Sequence, residues 1–170
     1  MAGYYIAAKV QEPERNRLPD LQQRAHDTAH MTLVYLGPLT PKELKQTKSV
    51  LKQISKKHRD FSAPVVGFAN FAGSDKRGIY HAEVKQVRPL MDLQSDLKSK
   101  LPKIGDSRPY HPHVTLDPNH AGPFVQESVG KFKVNEISLL QENKNPKTIH
   151  SYRLRDSNVF QKVWDKLTNG

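Results

Sequence analysis

The chain contains no cysteine. That absence excludes disulfides, thiolate nucleophiles and Cys-ligated zinc, and with them a secreted fold held by cross-links. No stretch approaches the roughly 18–20 apolar residues needed to span a bilayer. The start, Met1-Ala2-Gly3-Tyr4-Tyr5-Ile6, has no basic segment followed by a long apolar run, so no secretory leader is expected. Acidic residues are scarce beside basic ones, with 17 Asp and Glu against 27 Lys and Arg in 170 residues, giving a net charge of +10. A balance of that sign favours polyanionic partners by raising their local concentration and on-rate. The expectation is a soluble, monomeric protein without membrane contact, in the cytoplasm of a cell or of an infected host. Its length suits one domain, or two tightly fused lobes.

Tyr4 to Val10 is short, aromatic and apolar, and predicts a strand. Residues 11 to 28 are polar, carry Pro13, Pro19, Arg15, Arg17 and Arg24, and read as a long loop of the kind that often has a function. His30 to Leu36 predicts a second strand, closed by Gly37-Pro38. Thr40 suits the cap and Pro41 the first turn of a helix with Leu44, Val50, Leu51 and Ile54 on one face and lysines on the other. Those lysines read as a solvated face. Pro64 to Phe71 and Ile79 to Val87 predict a hairpin, and Pro89 opens a second helix with Leu90, Leu93, Leu97 and Leu101 at helical spacing. His113 to Leu116, Phe132 to Leu140 and Tyr152 to Arg155 predict the remaining strands, the last two separated by a polar segment at 141 to 150. Val159 to Leu167 predicts a short terminal helix. This order is a loose internal duplication and argues α+β with antiparallel sheets.

Two segments carry chemistry: His30-Met31-Thr32-Leu33 and His113-Val114-Thr115-Leu116. Both follow the rule His, apolar, Thr, apolar, on predicted strands. Residues i and i+2 of a strand share a face. His and Thr therefore point one way in each motif, and the apolar pair anchors the strand from the other side. One His-x-Thr is uninformative, but two copies with both apolar positions filled arise by chance about once in a thousand such chains. Imidazole titrates near neutral pH, so two histidines can divide the work of opening a phosphodiester. One takes a proton from the attacking oxygen and the other gives a proton to the leaving oxygen. The threonine hydroxyls can donate to the non-bridging oxygens. Such a site uses no metal and no other cofactor. His111 could face the same cleft, whereas His26, His58, His81, His120 and His150 read as ordinary.

The segments AHMTLVYLG (29–37) and YHPHVTLD (110–117) resemble the two signature segments of the 2H phosphoesterase superfamily, which includes bacterial RNA ligase T-like proteins and cyclic phosphodiesterases. The resemblance spans nearly the whole chain. It implies one two-lobed domain over residues 1–170, with two antiparallel sheets, outer helices and pseudo-twofold symmetry about a central cleft. It also implies His30, Thr32, His113 and Thr115 as the catalytic quartet of a metal-independent phosphodiesterase. The implied substrates are nucleotides, cyclic oligonucleotides or RNA ends with a 2′,3′-cyclic phosphate or a 2′-5′ linkage.

For substrate contacts, Tyr5, Tyr110, Tyr80 and Tyr152 are the aromatic candidates for stacking or lining the cleft. Arg15 and Lys144, on the first and last long loops, are candidates for further phosphates. Two other readings compete. One is a metal site built on His26 and His30 or on His111 and His113. The other is a non-catalytic RNA- or nucleotide-binding module on the same fold.

Overall fold

Among the described residues, short apolar or alternating segments give eight strands, and two amphipathic segments, each with a proline in its first turn, give the two long helices. The computed structural model describes residues 1–11, 29–72, 78–158 and 166–168. In chain order the elements are β1 (Tyr4–Lys9), β2 (His30–Gly37), α1 (Pro41–Lys57), β3 (Phe61–Phe71), β4 (Ile79–Val84), α2 (Arg88–Lys100), β5 (His113–Asp117), β6 (Gly130–Val134), β7 (Glu136–Gln141) and β8 (Lys147–Arg153). They order laterally as β6-β3-β4-β5-β2-β1-β7-β8, with antiparallel pairing throughout.

The expected pair of antiparallel sheets is present as two four-stranded halves, β6-β3-β4-β5 and β2-β1-β7-β8. They are hydrogen-bonded into one sheet at the β2–β5 seam, where a single pair, Met31 with Val114, is in register. Other neighbours share four to six such pairs. An antiparallel pair has a local twofold axis between its members. Here that axis relates Met31 to Val114, and therefore His30 to His113 and Thr32 to Thr115. This is the source of the symmetry between the halves.

Both helices cover one face of the sheet. Thr40 closes the start of α1 with a reciprocal capping box: its hydroxyl accepts from the Glu43 amide at 3.2 Å, and Glu43 accepts from the Thr40 amide at 2.8 Å. A cap of this kind contributes about 1 kcal/mol. Leu51 and Ile54 of α1 and Leu90, Leu93 and Leu97 of α2 are fully buried against Met31, Leu33, Val114 and Leu116. Truncating one of these leucines to alanine would cost about 2–5 kcal/mol. Asp96 ties the helices together, accepting from His58 at 2.8 Å and from Lys100 at 2.8 Å. The α1 lysines 42, 45, 52, 56 and 57 are exposed, as expected of a solvated face. Among the described residues no helix is long and apolar enough to cross a membrane.

Two expectations change. Phe132 to Leu140 is two strands that break at Asn135: β6 pairs with β3 at an outer edge, whereas β7 pairs with β1 in the other half. The buried positions shift phase across the break, from Phe132 and Val134 to Ile137 and Leu139. Asn135 holds the corner, its side chain accepting from Gln11 and its carbonyl from the Leu154 amide. The segment read as a polar loop to residue 150 gives most of β8, an edge strand that needs few apolar residues. The terminal helix over 159–167 and the loop before residue 29 fall largely outside the described residues.

Candidate functional site

The site forms at the seam. On β2, Met31 and Leu33 are buried, while His30 and Thr32 are partly exposed. On β5, Val114 and Leu116 are buried, His113 is partly exposed and Thr115 is exposed. The polar residues of both motifs therefore lie on the face opposite the helices. The register of Met31 with Val114 sets His30 opposite Thr115 and Thr32 opposite His113. Four residues predicted from two separate segments thus form a two-by-two array.

His113 is tightly held. Its Nδ1 lies 2.7 Å from the His111 carbonyl, which can only accept, so Nδ1 carries the hydrogen. In the neutral ring Nε2 then keeps its lone pair. Burial lowers the His113 pKa from its ordinary value, and the bond to His111 opposes that shift in part. Phe71 meets the ring edge-on at 4.8 Å between centroids. His30 has a different neighbour: the Tyr5 ring lies 5.2 Å away, tilted by 32°.

Two cavities flank the array. The larger, about 570 Å³, is lined by Thr32, Tyr35, Phe71, Arg108, Tyr110 and His113 among others. The smaller, about 300 Å³, is lined by Tyr5, His30, Thr32, Tyr35, Glu142, Asn143 and Pro146. Thr32 and Tyr35 border both. The Tyr35 hydroxyl donates to Glu142 at 3.2 Å. The segment after α2 closes the larger cavity. It docks through the Gly105 amide, which donates to the Tyr35 carbonyl at 2.8 Å. A side chain at Gly105 would press on β2, because a Cβ there would lie 2.8 Å from the Leu36 backbone carbon. Further along, Arg108 side-chain bonds hold the Asp106 carboxyl down at about 2.

Of the predicted contacts, Tyr5 and Tyr110 reach the site. Tyr5 is 7% exposed, and burial, with help from Glu142, pushes its phenol up to about 12. Tyr110 lines the larger cavity and donates to the Thr32 carbonyl at 3.2 Å, and burial raises its pKa. Lys144 is exposed on the turn whose neighbours Asn143 and Pro146 line the smaller cavity. Tyr80 is corrected: it is 1% exposed, packed on Phe68, and its ring fills the space beside Gly122. Tyr152 is corrected as well. The cleft face runs Thr32–Ala7–Ser138–Ser151 across the registers, so Tyr152 points to the other face and packs against the main core. Arg15 lies outside the described residues.

Several site residues escaped the sequence reading. Phe71, Tyr35 and Arg108 come from strand ends and a loop, where no period marks them. His81 and Glu83 could have been found, since they repeat the i, i+2 spacing of the motifs on β4. His81 pairs in register with Thr115 and Glu83 with His113. His81 is fully buried, stacked on Phe71 at 3.7 Å. Glu83 contacts two rings, His81 Nε2 at 2.7 Å and His111 Nε2 at 2.8 Å.

Comparison with known proteins agrees with this fold. The profile of the 2′-5′ RNA ligase superfamily matches residues 5–146. Over 138 residues the chain is 27% identical to the RNA 2′,3′-cyclic phosphodiesterase of Bacillus subtilis strain 168, covering 79% of this chain and 74% of that protein. It is 28% identical over 132 residues to the RNA 2′,3′-cyclic phosphodiesterase of Geobacillus stearothermophilus, covering 69% of this chain but 42% of that protein. Among solved structures, E. coli LigT in its apo form superposes with a TM-score of 0.74 at 17% identity, covering 91% of this chain and 98% of LigT. LigT complexed with 3′-AMP gives 0.71 at 16% identity, covering 90% and 98%. At these identities the structural likeness speaks to the fold.

Proposed function

The chain belongs to the 2′-5′ RNA ligase superfamily, and we propose that it is a metal-independent phosphodiesterase of RNA or nucleotide phosphodiesters, acting as a monomer with His30 and His113 as general acid and base. The observation that carries this reading is the seam register, which sets two His-Thr pairs facing one another on a single exposed face. The names of the curated relatives point to 2′,3′-cyclic phosphates as the first substrates to try.

His113 takes the base role. With its Nδ1 hydrogen held by the His111 carbonyl, neutral His113 presents the Nε2 lone pair to accept a proton from the attacking oxygen. His30, protonated, returns a proton to the leaving sugar oxygen. For a 2′,3′-cyclic phosphate, water adds to phosphorus, one phosphorus–oxygen bond breaks, and a monoester remains. Thr32 and Thr115 donate to the non-bridging oxygens, where charge builds in the transition state. Tyr5 and Tyr110 offer aromatic surface on either side of the array, Lys144 a cation at the smaller cavity's rim, and Arg15 a further phosphate contact.

The test is incubation with 2′,3′-cyclic mononucleotides, 2′-5′ oligoadenylate and cyclic di- and trinucleotides, with and without EDTA, followed by mass spectrometry. Product is expected in both arms, and the phosphate position identifies the bond cut. Binding without product under every condition would instead establish a non-catalytic module, and loss of product with EDTA would end the metal-free mechanism.

A further inference from the structure

The two-histidine chemistry leaves one polar cluster beside the quartet unused: His81, Glu83 and His111. The ligand atoms that these three side chains offer lie within 4.8 Å of one another. His81 Nε2 faces one Glu83 oxygen at 2.7 Å, and its Nδ1 lies 3.2 Å from the Ile79 carbonyl. A neutral imidazole carries one N–H, yet both nitrogens of this buried ring face oxygen acceptors. A metal ion between Nε2 and the Glu83 carboxylate would let both nitrogens be satisfied, Nδ1–H by the Ile79 carbonyl and Nε2 by the ion. The Ile79 carbonyl is the kind of backbone acceptor to which a metal-ligating histidine donates its other N–H, which leaves Nε2 free to ligate.

We propose that His81, Glu83 and His111 form a binding site for a divalent ion of the zinc class, and that its occupation slows turnover. Two imidazoles and a carboxylate are a zinc donor set that leaves a fourth position for water. The site is asymmetric in access. His81 is sealed under Phe71, whereas the His111 side chain is 49% exposed and gives the ion a way in. With no cysteine in the chain, thiolates do not compete for the ion. The coupling to turnover is structural. His111 supplies the ligating ring and also the carbonyl that fixes the His113 tautomer, so drawing its ring onto an ion disturbs the hold on His113. The ion site stands on its own side chains, and only its effect on turnover rests on the proposed phosphodiesterase reading.

Equilibrium dialysis of the full chain against zinc chloride tests the site without reference to activity. One equivalent is expected to bind, and Glu83→Gln and His111→Ala should each weaken that equivalent about tenfold or more. His58→Ala, remote from the cluster, should leave it unchanged. Circular dichroism identifies a variant that fails to fold, and the other variant then decides. If the wild type binds no zinc, or the same equivalent persists in both variants, the site is refuted. In the second arm, zinc should reduce the hydrolysis of a 2′,3′-cyclic nucleotide by the wild type. It should do so far less for His111→Ala, each measured against its own metal-free rate. Dialysis binding with undiminished wild-type turnover overturns the inhibitory part alone. Absence of turnover before zinc is added sinks the phosphodiesterase reading and leaves the dialysis result standing.

Discussion

The two sides of the cleft begin from the same four-residue pattern on the same local twofold, and they end differently. On the β5 side, His113 is gripped through Nδ1, ringed by Phe71, His81, His111 and Glu83, and open to the larger cavity. On the β2 side, His30 rests beside Tyr5 and borders the smaller cavity with Glu142 and Asn143. Strand alternation and register place two matched His-Thr pairs. The neighbouring strands and loops, which obey no such symmetry, then give the two histidines different surroundings.

The comparison breaks most readily at the histidines. His30→Ala and His113→Ala should each lower kcat/KM by about 10²–10⁴-fold. The double variant should be little worse than either alone, because the pair acts as a unit. Steady-state kinetics on a 2′,3′-cyclic nucleotide checks this, and a His30→Ala enzyme of near-normal rate would confine the chemistry to the β5 side. Next come Thr32→Val and Thr115→Val, which keep the β-branched shape and remove one donor. Each should cost about 10²-fold in kcat with KM nearly unchanged, and a KM effect alone would make these hydroxyls ground-state binders. Gly105→Ala should lower Tm by several degrees, since its Cβ collides with β2 backbone. It should also weaken binding of any ligand that fills the larger cavity more than one confined to the smaller, as calorimetry would show.

The smallest effect concerns Asp106 and Arg108 at the larger cavity's edge. Asp106 titrates at about 2 in the folded chain against about 3.9 when unfolded. Its contribution is therefore present above the unfolded value and disappears as pH falls through the folded one. Arg108→Gln should lower Tm by no more than about 2–4 °C at pH 7, because the pair is exposed, and by much less at pH 2, where about half of the Asp106 carboxyls are already protonated. An equal loss at both pH values would show that Arg108 acts through packing.

That each His shares a face with its Thr was legible in the sequence because strand alternation is local: His30 and Thr32 share a face whatever the rest of the chain does. The two long helices were legible for the same reason, through the Thr40 cap and Pro41 of the first and the leucines of 90 to 101 in the second. The pairing of remote strands was not. Nothing local separates Tyr110, which reaches the cleft, from Tyr152, which the β7 register turns to the other face. Tyr80 was misread because its burial depends on Phe68 and on Gly122, more than 40 residues along the chain. The break at Asn135 left a trace, a one-residue slip in the apolar phase, but the reading treated 132 to 140 as a single strand.

The seam between the halves has a mechanical meaning. One registered pair, Met31 with Val114, joins two plates that are each laced internally by several. Bending the sheet along that line strains one backbone rung, whereas bending it anywhere else strains a ladder. That line runs between the two histidines, and bonds from Tyr110 to the Thr32 carbonyl and from Gln94 to the Leu33 carbonyl bridge it, while the His58–Asp96 bond ties α1 to α2 behind the sheet.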